Sequence, residues 1–165
     1  MKLHGFTDVD WIGIPMDRKS TSGGIFSIGS TTVSWYSRKQ ISVALGSTEA
    51  EYMAASLAAC EVIWMRKILV GLFSLHLEPT VIYCDNQSCI KLLVNLVFHD
   101  RSKHIDIRYH HIRDCVQRKI MLLSYVPTED QDADILTKAL TRSKFEYHRG
   151  RIGVADNPYL VEREC

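Results

Sequence analysis

Hydrophobic residues recur at steps of three and four along residues 47–72, STEAEYMAASLAACEVIWMRKILVGL, and this spacing predicts one long amphipathic helix. The apolar residues expected to face a sheet are Ala54, Ala58, Met65, Ile68 and Leu72. Glu51 heads the same stripe, whereas Glu49 lies about 200° away around the helix and is expected to face solvent. A carboxylate on the buried side needs a partner, a proton or a metal ion, because burying it alone costs several kcal/mol.

A helix cap is a second interpretation of Glu51. Thr48 followed three residues later by Glu51 is the pattern of a capping box, in which Thr48 is the N-cap and the glutamate reaches back from position N3. The pattern is common and weakly specific. The two interpretations therefore place the Glu51 side chain either at the first turn of the helix or against the sheet.

The segments before this helix have the patterns of β-strands. Residues 2–7 predict a short strand, which ends at an acidic pair, Asp8 and Asp10. The runs IFSIG and TTVSWYS flank Gly29-Ser30 and predict a hairpin. Three sequential strands in this order most simply form an antiparallel meander.

A fourth strand is predicted after the helix, where the run TVIYC at 80–84 ends at Asp85. A strand, a helix and another strand form a right-handed crossover, so we expect this strand to lie parallel to the first one. Asp8 and Asp85 would then share the edge where the sites of such sheets lie. A single aspartate after a strand is usually a turn residue. The combination with Glu51 is what indicates a divalent metal site.

The rest of the chain predicts helix, strand and helix. NQSCIKLLVNL after Asp85 resumes helical spacing, and so does the basic, histidine-rich segment 98–119. The apolar residues of that segment at helical steps are Ile105, Tyr109, Ile112 and Val116. KIMLLSYV at 119–126 predicts a last strand in a buried sheet position, and EDQDADILTKAL predicts a final helix with an acidic first turn. The helix dipole does not explain Asp134 beside two apolar residues.

Composition and charge bound the class of protein. A chain of 165 residues with 46% hydrophobic and 24% charged residues fits one compact domain. The net charge of +1 means that nucleic-acid binding would depend on local basic patches. No apolar run approaches the roughly 18 residues of a membrane span, and the N-terminus has no signal-peptide core. We therefore expect a soluble protein that is not exported by that route.

The cysteines do not form a recognisable framework. They are odd in number, scattered and without a CxxC motif: Cys60, Cys84, Cys89, Cys115 and Cys165. This pattern predicts reduced intracellular thiols. His111 and Cys115 have the spacing of half a zinc site, but no matching second pair is present, which argues against zinc.

Six motifs, taken together and in this order, resemble the ribonuclease H domain of copia-type long-terminal-repeat retrotransposon Pol polyproteins. They are FTDVDW, DRKSTSGG, STEAEYMAA, YCDNQS, KHIDIRYHHIRD and YVPTEDQDADILTK, and the resemblance covers about residues 3–153. It implies an α/β, ribonuclease H-like fold with a five-stranded mixed sheet in the order 3-2-1-4-5, flanked by helices. We expect the domain to span residues 1–153, followed by a C-terminal tail at 154–165 that is frayed or disordered.

The resemblance also assigns four acidic metal ligands, position by position. They are Asp8 in FTD, Glu51 in TEAEYMAA, Asp85 in YCDNQS and Asp134 in DADIL. It implies two Mg²⁺ ions, with Mn²⁺ as a substitute, which activate a water and stabilise the leaving oxygen of a phosphodiester. Within the family pattern, Asp8 bridges the ions, Glu51 and Asp85 hold the ion nearer the leaving group, and Asp134 holds the ion that activates water.

The implied activity is hydrolysis of the RNA strand of RNA:DNA hybrids during reverse transcription. The implied partners are the hybrid and the reverse transcriptase part of the same polyprotein, with no membrane. The implied location is intracellular, in the cytoplasm or in a virus-like particle, with the nucleus as the alternative. Two other readings stay open: a silent or domesticated copy that binds nucleic acid without cutting it, and a structural module of a reverse transcriptase.

A basic surface must hold the substrate, because four carboxylates repel a phosphate backbone. The segment 98–119 is the richest source, although the same pattern fits a solvated helix face. We expect nucleic-acid binding by Arg101, Lys103, Arg108 and Arg113. Further basic residues are Arg118 and Lys119, and the lesser candidates are Arg18, Lys19, Arg38 and Lys39.

One feature departs from the cellular ribonucleases H, which carry a histidine in the loop before the last acidic helix. The corresponding loop here is PTEDQ and contains none. The copia-type family lacks it too, so the difference does not imply inactivity. It leaves proton transfer or product release without an assigned side chain, and the unranked candidates are His99, His104, His110 and His111.

Overall fold

The computed structural model describes residues 2–11, 18–94 and 111–155. The strands are β1 (Leu3–Asp10), β2 (Thr21–Ile28), β3 (Thr31–Lys39), β4 (Thr80–Cys84) and β5 (Met121–Tyr125). The helices are α1 (Ser47–Phe73), α2 (Gln87–Val94), α3 (described over 111–117) and α4 (Arg142–Arg151). Between β5 and α4 lie a 3₁₀ turn (Thr128–Asp130) and a 3₁₀ helix (Asp132–Leu136).

The five strands form one mixed sheet in the order β3-β2-β1-β4-β5. β1, β2 and β3 are antiparallel neighbours, as the predicted meander requires. β4 lies parallel to β1, and β5 lies parallel to β4. The predicted strand order and the crossover through α1 are confirmed, because the long helix carries the chain back over the sheet.

Helix α1 covers one face of the sheet and contributes seven of the seventeen buried residues in the main hydrophobic core. Ala54, Ala58 and Met65 are buried, as predicted. Ile68 and Leu72 are 36% and 72% exposed, so their assignment to the buried stripe is wrong. The buried face is instead lined by Ala55, Ala58, Val62, Met65 and Leu69.

Ile68 lies beside the buried Leu69 and faces away from the sheet, whereas the length of α1 explains the exposure of Leu72. The helix has 27 residues and is therefore about 40 Å long, whereas the nine residues of β3, the longest strand, extend about 30 Å. Its last turns therefore have less sheet beneath them. The helix extends one residue beyond the predicted end at residue 72 and closes at Ser74 in the left-handed conformation (φ 51°).

Two glycines at the start of β2 permit close contacts across the sheet. The predicted strand began at Ile25, but β2 begins at Thr21 and includes Gly23 and Gly24. A Cβ atom at Gly24 would lie 2.6 Å from the ring of Tyr36, and one at Gly23 would lie 2.7 Å from Cγ2 of Thr137. The missing side chains therefore let Tyr36 and Thr137 pack directly on the β2 backbone.

The end of the chain differs most from the predicted elements. β5 is one of the two edge strands of the sheet, and Leu122 and Tyr125 are exposed, so the predicted buried position is wrong. A strand with a neighbour on one side has less surface to bury. The single helix predicted over 129–140 is also wrong, because the chain forms the short 3₁₀ turn and the 3₁₀ helix instead.

Gln131 separates these two 3₁₀ segments. Its backbone is extended (φ −78°, ψ 94°), and its side chain is fully buried. The side-chain Nε2 donates to the carbonyl oxygen of Thr7 over 2.9 Å, and its Oε1 accepts from the N–H of Ala133 over 3.3 Å. These hydrogen bonds satisfy the buried amide of Gln131 and two backbone groups, and they hold the chain in the interrupted conformation.

Helix α4 packs on the 3₁₀ helix that precedes it. The buried His148 contacts Asp132 through its Nδ1, 2.8 Å from Oδ1, and Arg151 donates to the same carboxylate. Asp132 lies in the 3₁₀ helix, so these bonds join α4 to that helix. Since Asp134 is in the same short helix, α4 also restricts where its carboxylate can lie.

Several predictions concern residues at the margins of the described ranges. In α3, Ile112 is buried and Val116 packs on the core as predicted, whereas Ile105 and Tyr109 lie outside the described residues. The tail boundary at 153/154 stays a prediction, since residues 156–165 lie outside them too. Within the described ranges, no helix combines the length and the hydropathy that a membrane crossing needs.

Candidate metal centre

The register of β1 and β4 places two of the predicted acids beside each other. The last parallel pair between these strands is Phe6 with Tyr83. Two residues further along each chain are Asp8 and Asp85, on the same face of the sheet as that pair, because side chains two apart share a face. Asp8 is 1% exposed, and the Oδ2 atom of Asp85 accepts a hydrogen bond from the hydroxyl of Thr128 over 2.9 Å.

Helix α1 contributes Glu51, which is 6% exposed. Its Oε2 atom lies 3.9 Å from Sγ of Cys84, at the end of β4. The capping-box interpretation of Glu51 is wrong, because the N-cap of the helix is Gly46 and not Thr48. The Glu51 carboxylate lies near Cys84 of the sheet instead. Glu49 occupies position N3, and its Oε2 accepts a hydrogen bond from the N–H of Leu45 over 2.7 Å. Glu49 thus stabilises the N-terminus of α1, whereas Glu51 faces the sheet.

The 3₁₀ helix contributes Asp134, which is also buried. The Nζ atom of Lys138 lies 2.9 Å from Oδ1 of Asp134 and 3.6 Å from Oδ2 of Asp8. The hydroxyl of Thr137 donates to the same Oδ2 of Asp8. Gly23, which pairs with Asp8 in the sheet, leaves the space through which Thr137 makes this contact.

Together these elements bring all four predicted acids into two overlapping groups. Asp8, Asp85 and Asp134 form one group, and Glu51, Cys84 and Asp85 form the other. Within each group the candidate ligand atoms all lie within 4.8 Å of one another. Asp85 belongs to both groups and therefore connects the glutamate of α1 with the other aspartates.

The electrostatics of the groups favour a bound cation. Burial, followed by the proximity of Cys84, Asp8 and Asp85, raises the pKa of Glu51 to about 10. Burial also raises the pKa of Asp85, and burial together with the charge of Asp8 raises the pKa of Asp134 to about 6. Glu51, Asp85 and Asp134 thus resist ionisation in this environment, and a cation bound among them would remove that penalty.

The donor atoms fit a hard divalent ion. The group of Asp8, Asp85 and Asp134 offers oxygen ligands only, which Mg²⁺ and Mn²⁺ prefer. Mg²⁺ retains several water ligands, so few protein carboxylates are enough. The residues present therefore fit the metal that the sequence predicts.

The pH dependence of stability should report on Glu51. In EDTA, Glu51 ionises near its usual pKa of 4.5 when unfolded and near 10 when folded, so the folded state holds one more proton between these values. The free energy of unfolding should therefore fall as the pH rises through this window. Urea unfolding from about pH 5 to about pH 9 measures the slope, and Glu51→Gln should flatten it. Identical slopes for both proteins would contradict the assignment.

Three residues of the site were missed by sequence reasoning: Thr128, Thr137 and Lys138. Thr137 and Lys138 lie three and four residues after Asp134, which places them near its side chain in any helical turn. That spacing was the available signal. Their contact with Asp8 depends on a strand more than a hundred residues away and has no local signature.

The predicted nucleic-acid residues are only partly described. Arg101, Lys103 and Arg108 lie outside the described residues. Arg113 is on α3, and one of its guanidinium nitrogens donates to the carbonyl oxygen of Leu92 over 3.3 Å. Part of its hydrogen-bonding capacity therefore serves the contact between α3 and α2.

The structure describes one of the four histidine candidates. His99, His104 and His110 lie outside the described residues, and His111 is exposed on α3. Among the residues that are described, neither acid group includes a histidine. His148 is close in sequence to the last acid, but it is buried and bonded to Asp132.

Comparison of the sequence with known proteins gives two informative relatives. The chain is 42% identical over 155 residues to the retrovirus-related Pol polyprotein from transposon TNT 1-94 of Nicotiana tabacum, which covers 94% of this chain and 12% of that protein. It is 42% identical over 158 residues to the retrovirus-related Pol polyprotein from transposon RE1 of Arabidopsis thaliana. This match covers 96% of this chain and 11% of that protein. The chain thus spans about a tenth of these relatives. No family model matches it.

Comparison of the fold finds ribonucleases H. LC11-RNase H1, isolated from compost, has a TM-score of 0.62 at 16% identity and covers 82% of this chain and 92% of its own. The complex of that protein with an RNA/DNA hybrid has a TM-score of 0.59 at 15% identity. This match covers 82% of this chain and 94% of that one. The foamy viral protease-reverse transcriptase in complex with RNA/DNA hybrid has a TM-score of 0.55 at 12% identity. This match covers 87% of this chain and 20% of that one.

Proposed function

Because the chain is homologous to one segment of the retrovirus-related Pol polyproteins of plant copia-type transposons and has the ribonuclease H fold, we propose that it is a metal-dependent endoribonuclease. Its substrate in this proposal is the RNA strand of RNA:DNA hybrids formed during reverse transcription. The observation that supports it best is the convergence of Asp8, Glu51, Asp85 and Asp134 from four separate parts of the chain.

The four acids have different places in the proposed centre. Asp8 would hold both Mg²⁺ ions, Glu51 and Asp85 the ion on the leaving-group side, and Asp134 the ion on the side of the attacking water. Bound Mg²⁺ supplies an activated water and charge stabilisation for phosphodiester hydrolysis. Thr128 orients Asp85 and Thr137 orients Asp8 through their hydroxyl groups. The burial of three of the acids keeps bulk water from competing for their oxygen atoms.

Hydrolysis of a labelled RNA:DNA hybrid tests the proposal. The chain should cleave the RNA strand with Mg²⁺ or Mn²⁺ and should stop when EDTA is added. A matched duplex of DNA alone serves as the substrate control. If the protein binds hybrid normally but is inactive with both ions across a concentration series, the silent nucleic-acid-binding reading replaces this one. Inactivity together with a lack of hybrid binding would favour a structural module.

The partners and location follow from the same proposal. The relatives are Pol polyproteins, and a reverse transcriptase is among the proteins of similar fold. We therefore propose that the domain works with the reverse transcriptase part of the same polyprotein, in the cytoplasm or in a virus-like particle. Co-purification of the chain with that part, expressed separately, would test the partnership.

We expect the basic segment 98–119 to bind the phosphate backbone of the substrate. Each phosphate contact releases counterions, so the logarithm of affinity should fall with the logarithm of salt by about 0.7 to 0.9 per phosphate neutralised. Replacing Arg101, Lys103 and Arg108 together with alanine should flatten this slope and leave the metal centre intact. Hybrid binding by an Asp85→Asn background, measured from low to moderate salt, avoids cleavage during the titration. An unchanged slope would identify the segment as a solvated face.

A further inference from the structure

Lys138 places a positive charge at the mouth of the acid group. Its Nζ atom lies 2.9 Å from Oδ1 of Asp134 and 3.6 Å from Oδ2 of Asp8. The lysine side chain is 33% exposed, while those of Asp134 and Asp8 are 7% and 2% exposed. The ammonium therefore lies between two buried carboxylates and solvent.

We propose that Lys138 is an internal counter-ion of the metal centre, which holds Asp8 and Asp134 together before a divalent ion binds and gives up this contact when the ion arrives. The first half of the proposal concerns the metal-free protein alone. The second half rests on the proposed function, since it requires a divalent ion at these acids.

The need for a counter-ion follows from the spacing of the acids. Asp8, Asp85 and Asp134 have carboxylate oxygens within 4.8 Å of one another, and two of these residues are buried. Like charges at that distance repel strongly where water is scarce. A cation in contact with two of the three carboxylates offsets this repulsion. It also lets the 3₁₀ helix stay docked on β1, where Thr137 bonds to Asp8.

The release of Lys138 follows from its position and its flexibility. A divalent ion bound to oxygens of Asp8 and Asp134 would lie within a few ångströms of the ammonium, and the two cations would repel each other. Lysine carries its charge on a flexible four-carbon stem, and this one reaches solvent. The ammonium can therefore move outward without disturbing the backbone. Metal and lysine compete for the same carboxylates.

A double-mutant cycle in EDTA tests the counter-ion. The variants are Lys138→Met, Asp134→Asn and both together, with Lys144→Met on the surface of α4 as the matched control. Lys138→Met should lower the melting temperature by about 3 °C, and the loss should shrink in the Asp134→Asn background. A loss of the same size in both backgrounds, or no loss beyond that of Lys144→Met, would overturn the proposal.

Calorimetric titration with Mn²⁺ alone tests the competition. Lys138→Met should bind Mn²⁺ about fivefold more tightly than wild type, because the competing charge is gone. Lys138→Arg keeps the charge and should bind close to wild type. A loss of packing alone would not tighten metal binding. Unchanged or weaker binding by Lys138→Met would overturn the competition. If wild type bound no Mn²⁺, the proposed function would fail, while the EDTA cycle would still decide whether Lys138 is a counter-ion.

Discussion

Replacement of Asp85 with asparagine is expected to reduce hybrid cleavage by roughly 10³-fold or more, because metal-bound charge supplies several kcal/mol of transition-state stabilisation. Asp85 is the residue that the two acid groups share, so its loss affects both. The protein should stay folded, since asparagine keeps a side-chain oxygen that can accept from Thr128. Single-turnover cleavage measures the effect, and thermal melting in EDTA checks the fold.

A neighbouring aspartate provides the matched control. Asp10 lies on β1, two residues beyond Asp8, and belongs to neither of the acid groups found among the described residues. The Asp10→Asn variant should therefore cleave hybrid within about threefold of wild type. Cleavage by Asp85→Asn near the wild-type rate would remove Asp85 from the proposed centre, and an equal loss in both variants would point to a general effect of charge.

The two glutamates at the start of α1 should differ sharply in their effect on cleavage. Glu51→Gln is expected to lower the cleavage rate by at least about 10²-fold, because it removes an anionic ligand from the buried site. The amide has nearly the same shape as the protonated acid, and burial raises the pKa of Glu51 to about 10. At neutral pH in EDTA, the substitution should therefore leave the melting temperature almost unchanged.

Glu49→Gln is the control with the same chemistry two residues away. Its carboxylate bonds to the N–H of Leu45 at the helix end, so its loss should cost about 0.3 to 1 kcal/mol of stability. Cleavage at a temperature where the protein is folded should stay near the wild-type rate. Parallel kinetics and melting curves of the two variants separate a site effect from a helix effect. A larger loss of cleavage in Glu49→Gln would contradict the assignment of the glutamates.

The hydrophobic and polar pattern was sufficient for the first four strands and the long helix between them. The alternating runs predicted the hairpin, the helical spacing predicted α1, and the rule for right-handed crossovers placed β4 beside β1. These predictions succeed because each rests on periodicity within one element or on chain connectivity. The same logic separated Glu51 from Glu49, since their angular positions on a helix are set by its geometry.

The pattern failed where distant parts of the chain decide local structure. The segment 129–140 has the composition of a helix, but Gln131 bonds to the backbone of Thr7 and the helix is interrupted. Gly23 precedes the predicted strand, yet it lies within β2 and makes room for Thr137. In each case a long-range contact outweighs local preference, because a buried hydrogen bond or close packing contributes more than the propensity of a few residues.

By itself, the sequence predicted that Asp8, Asp85 and Glu51 lie near one another, from two strands and a helix, and the family resemblance added Asp134 as the fourth candidate ligand. Only the tertiary structure decided how those carboxylates are held: Thr128 on Asp85, Thr137 on Asp8, and Lys138 between Asp8 and Asp134. The physical reason is the range of the interactions. Periodicity records the burial of each residue in its own element, whereas the neighbours of a buried charge come from parts of the chain that folding alone brings together.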